Sequence, residues 1–193
     1  RSARDQLIRE LEAEMVAANN GAPLPAGLAG NAQQLATLVV RDPQIRLAFL
    51  DVGGWDTHVN QGSSRGLMAN RLERLGEGLV ALVDRLGSVY SNTTIVVMSE
   101  FGRTVRENGN GGTDHGRGNV LWVLGGSVRG GRVYGRWPGL SDSELYEGRD
   151  LAVTTDFRDV ISPILTSQFG LTASQLGQVF PGYSPTGNFS EIV

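Results

Sequence analysis

The stretch "IRLAFLDVGGWDTH", residues 45–58, changes character at Asp51. Its first eight residues are an almost unbroken apolar run and read as a buried strand. The glycines of "GGWDTH" then permit a tight turn and close backbone approach, with an aspartate and a histidine just beyond. A second run, "TTIVVMSEF" at 93–101, is β-branched in the manner of a central, parallel strand and ends at Glu100. Between the two, residues 64–86 set Leu67, Leu72, Leu75, Leu79, Leu82, Val83 and Leu86 on one side of a helix. Strand, long helix, strand predicts an α/β fold with a mainly parallel central sheet flanked by helices. In open sheets of that kind, ligands gather outside the carboxyl ends of the strands, where "DVGGWDTH" and "SEFGR" both fall.

Further helices are expected over 3–19 and 28–41, separated by the breaker "NNGAPLPAG". Residues 102–131 hold ten glycines, with a short strand inside "VLWVLGG". "DFRDVISPILTSQFG" reads as a helix in which Pro163 should lie near the first turn or at a kink. Residues beyond Pro181 read as a tail. The opening "RSARDQLIRELEAEM" looks like the middle of a helix and carries no signal peptide. The chain, residues 1–193, is therefore expected to be a single α/β domain or the C-terminal half of one.

Composition narrows the chemistry. At 193 residues and 40% hydrophobic, the chain can bury a core. A formal charge of −3 argues against a nucleic-acid partner or an anionic membrane surface. All 17 basic residues are Arg, so Schiff-base chemistry and the lysine of a phosphate-binding P-loop are excluded. Without Cys there is no thiol nucleophile, cysteine-ligated zinc or iron–sulfur cluster. No apolar run approaches the roughly 20 residues that span a bilayer.

Both histidines stand in glycine-built loops beside aspartates, in "GGWDTH" and in "GTDHGRGN" at 112–119. With the neighbouring carboxylates they form a candidate metal set: Asp51, Asp56, His58, Glu100, Asp114 and His115. Anionic oxygens and neutral imidazoles suit a divalent ion at about 2.0–2.2 Å, and clustered carboxylates attract one. Each residue taken singly also has a plain structural reading. Asp51 can cap a turn, Asp114 can sit in an Asx turn, and Glu100 can pair with Arg103. Arg103 is the candidate catalytic group, its planar fork suiting phosphate or sulfate oxygens; a salt bridge to Glu100 or Glu107 is the alternative. Ser99 and Thr57, hydroxyls beside candidate ligands, can be nominated as a nucleophile; supporting a ligand or capping a turn is the alternative.

The stretches "FLDVGGWDTHVNQG", "VVMSEFGRTVRENGNGGTDHGRGNVLWVLGG", "GGRVYG", "PGL" and "DLAVTTDFRDV" resemble an uncharacterised family of twin-arginine-exported bacterial proteins. That family is grouped with the alkaline phosphatase and sulfatase superfamily, and the resemblance covers residues 45–183. It implies an alkaline-phosphatase-like sheet holding two metal ions at its carboxyl edge. Zinc is the first choice, with manganese, magnesium or calcium as alternatives. It further implies a phosphate or sulfate ester substrate, small or polymeric, and a periplasmic or secreted location.

On the superfamily pattern, Asp51, Asp56 and His58 resemble the acidic residue at a strand end followed by Asp and His, and His115 resembles the later histidine of the first metal. The next strand usually ends in Asp-His; here it ends in Ser99-Glu100-Phe101, so Glu100 would be the carboxylate and the adjacent imidazole is missing. The superfamily's hydroxyl nucleophile and first metal-binding aspartate precede these motifs, and nothing in residues 1–44 resembles them. A companion N-terminal half or second chain is implied. A metal-dependent ester hydrolase, a non-catalytic metal-stabilised envelope protein and a purely structural subunit are the three readings open at this point.

Overall fold

The computed structural model describes residues 27–193, so the helix expected over 3–19 lies outside the described residues. The described chain forms two compact units. One comprises residues 27–53 and Arg71–Gly87, the other Gly54–Asn70 and Ser88–Val193.

In the first unit, helix α1 (Gly27–Arg41) buries Ala32 and Ala36, one turn apart on one face. Helix α2 (Leu67–Leu86), whose first turn belongs to the second unit, buries Leu75, Gly78 and Leu86. A Cβ on Gly78 would lie 2.6 Å from Leu28 Cγ, so the absent side chain is what lets α1 approach α2. Arg85 Nε donates to Thr37 Oγ1 at 2.8 Å beside that contact. Both helices match the expected segments.

The run 45–52 differs from its expected form. It is neither helix nor ladder, and Leu47 and Phe49 are 81% and 87% exposed. An apolar run becomes a parallel strand only with neighbours along its edges and cover on both faces. Among the described residues it has neither. Every ladder among them is antiparallel.

The second unit holds four short strands: β1 (Thr94–Val97), β2 (Gly102–Arg103), β3 (His115–Gly116) and β4 (Trp122–Gly125). β1 pairs antiparallel with β4, Thr94 opposite Gly125 and Val97 opposite Trp122. β2 pairs antiparallel with β3. Helix α3 (Phe157–Phe169) is capped by the Asp156 side chain, which accepts from Arg158 N–H, and ends at Gly170 in the left-handed conformation. Helix α4 (Ala173–Val179) opens with a reciprocal capping box between Thr172 and Gln175. Pro163 stands seventh in α3, past the first turn, and so denies the Asp159 carbonyl its helical partner.

The core of this unit joins Val160 and Ile164 of α3 to Val96 of β1, Val123 of β4 and Ile192. Residues beyond Pro181 are therefore not a tail. Ile192 is 3% exposed, and Phe189 and Val193 pack on the same cluster. Glycines at 182 and 187 mark this segment as loop, yet three apolar side chains spaced along its end suffice to anchor it. Among the described residues no helix is long and apolar enough to cross a membrane.

Candidate metal centre

Two glycine-bearing loops of the second unit are laced together by backbone hydrogen bonds. Asn60 N–H donates to Asn110 O at 3.1 Å, Gln61 N–H to Gly111 O at 2.8 Å, and Thr113 N–H to Thr57 O at 3.2 Å. A Cβ on Gly112 would lie 2.2 Å from the His58 carbonyl carbon, inside any contact that real side chains make. Glycine at 112 is thus what allows "WDTH" to lie against "GTDH". The β2–β3 ribbon then sets Arg103 directly opposite His115, a cross-strand pair whose side chains leave the same face.

These elements converge on one atom. Asp56 Oδ1 lies 2.8 Å from His58 Nε2, 2.7 Å from His115 Nε2 and 2.7 Å from Arg103 Nη1. The potential ligand atoms of Asp56, His58 and His115 all fall within 4.8 Å of one another. The imidazoles stack with centroids 5.0 Å apart, and Phe101 also stacks on His115 at 4.3 Å. On its far edge, His58 Nδ1 meets Asp114 Oδ1 at 3.0 Å.

Electrostatics favour ionised carboxylates here. The Arg103 guanidinium, and after it the His115 ring, hold the Asp56 carboxyl below its ordinary range. The Asn108 amide, and after it His58, do the same for Asp114. Carboxylates only accept, so each imidazole nitrogen facing one must present a proton or, at the Nε2 atoms, a metal ion. The donor set fits such an ion. Ligands about 2.1 Å from a tetrahedral centre stand roughly 3.4 Å apart, so the two Asp56–imidazole separations of 2.8 and 2.7 Å lie a little under that spacing. Two imidazoles and one carboxylate also leave a coordination position open, the composition of catalytic rather than structural zinc.

Surrounding groups stiffen the cluster. Arg103 Nε donates to Thr113 Oγ1 at 2.9 Å, and its Nη2 donates to Thr113 O. Gln61 Oε1 accepts from both Thr57 Oγ1 and Thr113 Oγ1 at 2.7 Å, tying "DTH" to "TDH". Asn108 donates to His58 O and to Asp114 Oδ1, each at 3.0 Å, while its own Oδ1 accepts from the Asn110 and Gly112 amides. Asn108, Gln61 and Thr113 were not among the residues named from sequence. The one available signal was the turn-forming "NGNGG" at 108–112.

Of the residues that were named, Asp56, His58, Asp114, His115 and Arg103 are brought together. Glu100 is exposed and makes no hydrogen bond or ion pair among the described residues. Arg103 pairs with Asp56 rather than with Glu100 or Glu107. Asp51 belongs to the first unit, where it is exposed. Ser99 Oγ donates to Phe101 O at 3.1 Å.

The second unit is thus a small antiparallel scaffold whose loops present two histidines and a carboxylate at one point. The chain belongs to the family described as "Protein of unknown function (DUF1501)", whose model matches residues 3–180. No curated protein and no solved structure matches it.

Proposed function

We propose that this chain carries the metal-binding part of a hydrolase of phosphate or sulfate esters, on a scaffold of the alkaline phosphatase and sulfatase superfamily, exported by the twin-arginine route to the periplasm or beyond. The observation that carries the reading is the convergence of His58 Nε2 and His115 Nε2 on Asp56 Oδ1. A bound divalent ion would polarise an ester oxygen and lower the pKa of an attacking hydroxyl or water. Asp56, His58 and His115 would hold it. Arg103 keeps Asp56 ionised and aimed, and the guanidinium hydrogens it has not committed can face a non-bridging oxygen. The resemblance assigns the nucleophile to an N-terminal half, so the proposal includes a companion segment or chain. Glu100 stays in it as the carboxylate that the resemblance implies for a second ion.

A second reading, a metal-stabilised envelope protein without catalysis, is favoured by one observation. The hydroxyls of Thr57 and Thr113, each next in sequence to an aspartate of the cluster, both have their protons engaged by Gln61 Oε1.

Calorimetric titration of the metal-stripped protein with zinc tests both readings. One ion per Asp56–His58–His115 cluster is expected. His58→Ala, His115→Ala and Asp56→Asn should each weaken binding well beyond the roughly tenfold to hundredfold that loss of an outer partner costs. Full zinc affinity in all three variants would remove the metal from the reading. Hydrolysis of model phosphate and sulfate monoesters by the metal-loaded protein then separates the hydrolase from the binding protein.

A further inference from the structure

Asp114 lies beside the cluster, and its placement differs from that of a ligand. Its Oδ1 meets His58 at Nδ1, the nitrogen turned away from Asp56, while Nε2 of the same ring faces the convergence point. The two nitrogens of an imidazole diverge, so a carboxylate bonded to one is held off the metal bound at the other. That oxygen also accepts from Asn108 Nδ2 at 3.0 Å, which accounts for both of its lone pairs. The backbone of Asp114 is pinned as well: its N–H donates to Thr104 Oγ1, and its carbonyl accepts from Thr104 N–H. Asn108 completes the arrangement from the other side, since the same amide nitrogen donates to the His58 carbonyl. Backbone and ring of His58 are therefore referred to a single anchor, and the anchor's own oxygen is fixed by two amides of its loop.

We propose that Asp114, braced by Asn108, is a positioning residue that keeps the His58 proton on Nδ1 and turns the Nε2 lone pair toward the metal. Among the described residues no carboxylate meets Nδ1 of His115; its ring stacks on Phe101 and on His58. The two imidazoles thus differ at Nδ1, where only His58 meets a carboxylate among the described residues. This assignment rests on the metal reading above and gives Asp114 a role distinct from that of Asp56.

Zinc titration and cobalt(II) absorption of the whole chain test it. Asp114→Asn should weaken zinc binding by about tenfold to a hundredfold while the visible spectrum of the cobalt(II) protein keeps its shape, because the ligands are unchanged. A cobalt(II) spectrum reporting a changed coordination number would make Asp114 a ligand and overturn the assignment. Unaltered zinc affinity in Asp114→Asn would overturn it too. The wild type supplies a reading that needs no variant: long-range proton–nitrogen spectra of the zinc-loaded protein should show His58 protonated at Nδ1. Protonation at Nε2, with zinc at Nδ1, would refute the assignment however the variants behave. A wild type that binds neither zinc nor cobalt(II) would refute the metal reading and this role together, whereas binding that is indifferent to Asp114 refutes the role alone.

Discussion

Asp159, on the first turn of α3, accepts at one oxygen from the Tyr183 hydroxyl, from Thr186 N–H at 3.0 Å and from Thr186 Oγ1 at 2.8 Å. Burial pushes its carboxyl pKa up, but the Tyr183 and Thr186 donors outweigh that, and the net shift is downward. A carboxylate with a depressed folded-state pKa stabilises above its unfolded value and loses that contribution as the pH falls. Stability measured by urea unfolding should therefore decline as the pH drops below about 4, and Asp159→Asn should flatten that part of the profile. Asp159→Ala, which strands three donors, should cost about 1–3 kcal/mol at neutral pH. Tyr183 is the complement. Burial, and then Asp159, push its phenol up to about 12. Its neutral form stabilises fully below the unfolded pKa near 10, and that contribution is lost as the pH rises toward 12. Phenolate absorbance should show one late-ionising tyrosine, absent from Tyr183→Phe.

The loop carrying "GTDH" depends on Gly112 more than on any ladder. Gly112→Ala would drive a methyl into the His58 carbonyl, and backbone cannot yield as a flexible side chain can. We expect a loss of about 1–3 kcal/mol, as for overpacking, and zinc affinity that falls with it; calorimetry of unfolding and of binding measures the two. Sequence reading reached the helices and the site residues by different routes. Amphipathic spacing and the breakers around it located α1, α2 and α3 to within a few residues, because those signals are local. β1 and β4 were legible as β-branched or apolar runs. The pairing of β1 with β4, the two-residue ribbon β2–β3 and the unladdered 45–52 were not, since partner choice depends on contacts far along the chain. For the centre, the rarity of histidine pointed to His58 and His115, and the aspartates beside them followed. Asn108 and Gln61 went unread because an amide's role lies in what it bonds, and ordinary polar loop residues carry no mark of it.

Across the molecule, the stability of the second unit and the integrity of its centre are both expected to depend on its last residues. Ile192→Ala should cost about 2–5 kcal/mol by emptying a site between α3 and the β1–β4 pair, and thermal unfolding would show it; a shift in the range of a surface substitution would contradict the packing described. Asp150 carries a further consequence. It is wholly buried behind β3, accepting from Arg117 N–H at 2.7 Å and Arg149 Nε at 3.2 Å, with Gly116 packed against its Cβ position. The ribbon that aligns Arg103 with His115 thus leans on a residue 33 positions beyond Arg117, the amide it holds. Closing so long a loop is slow relative to forming a local turn. His115 should consequently reach its working place late in folding, after the helices have formed and only once Asp150 has left water. During refolding, protection of the Arg117 amide against hydrogen exchange should rise in step with zinc uptake, so that the centre matures as a product of the finished fold rather than as a seed for it.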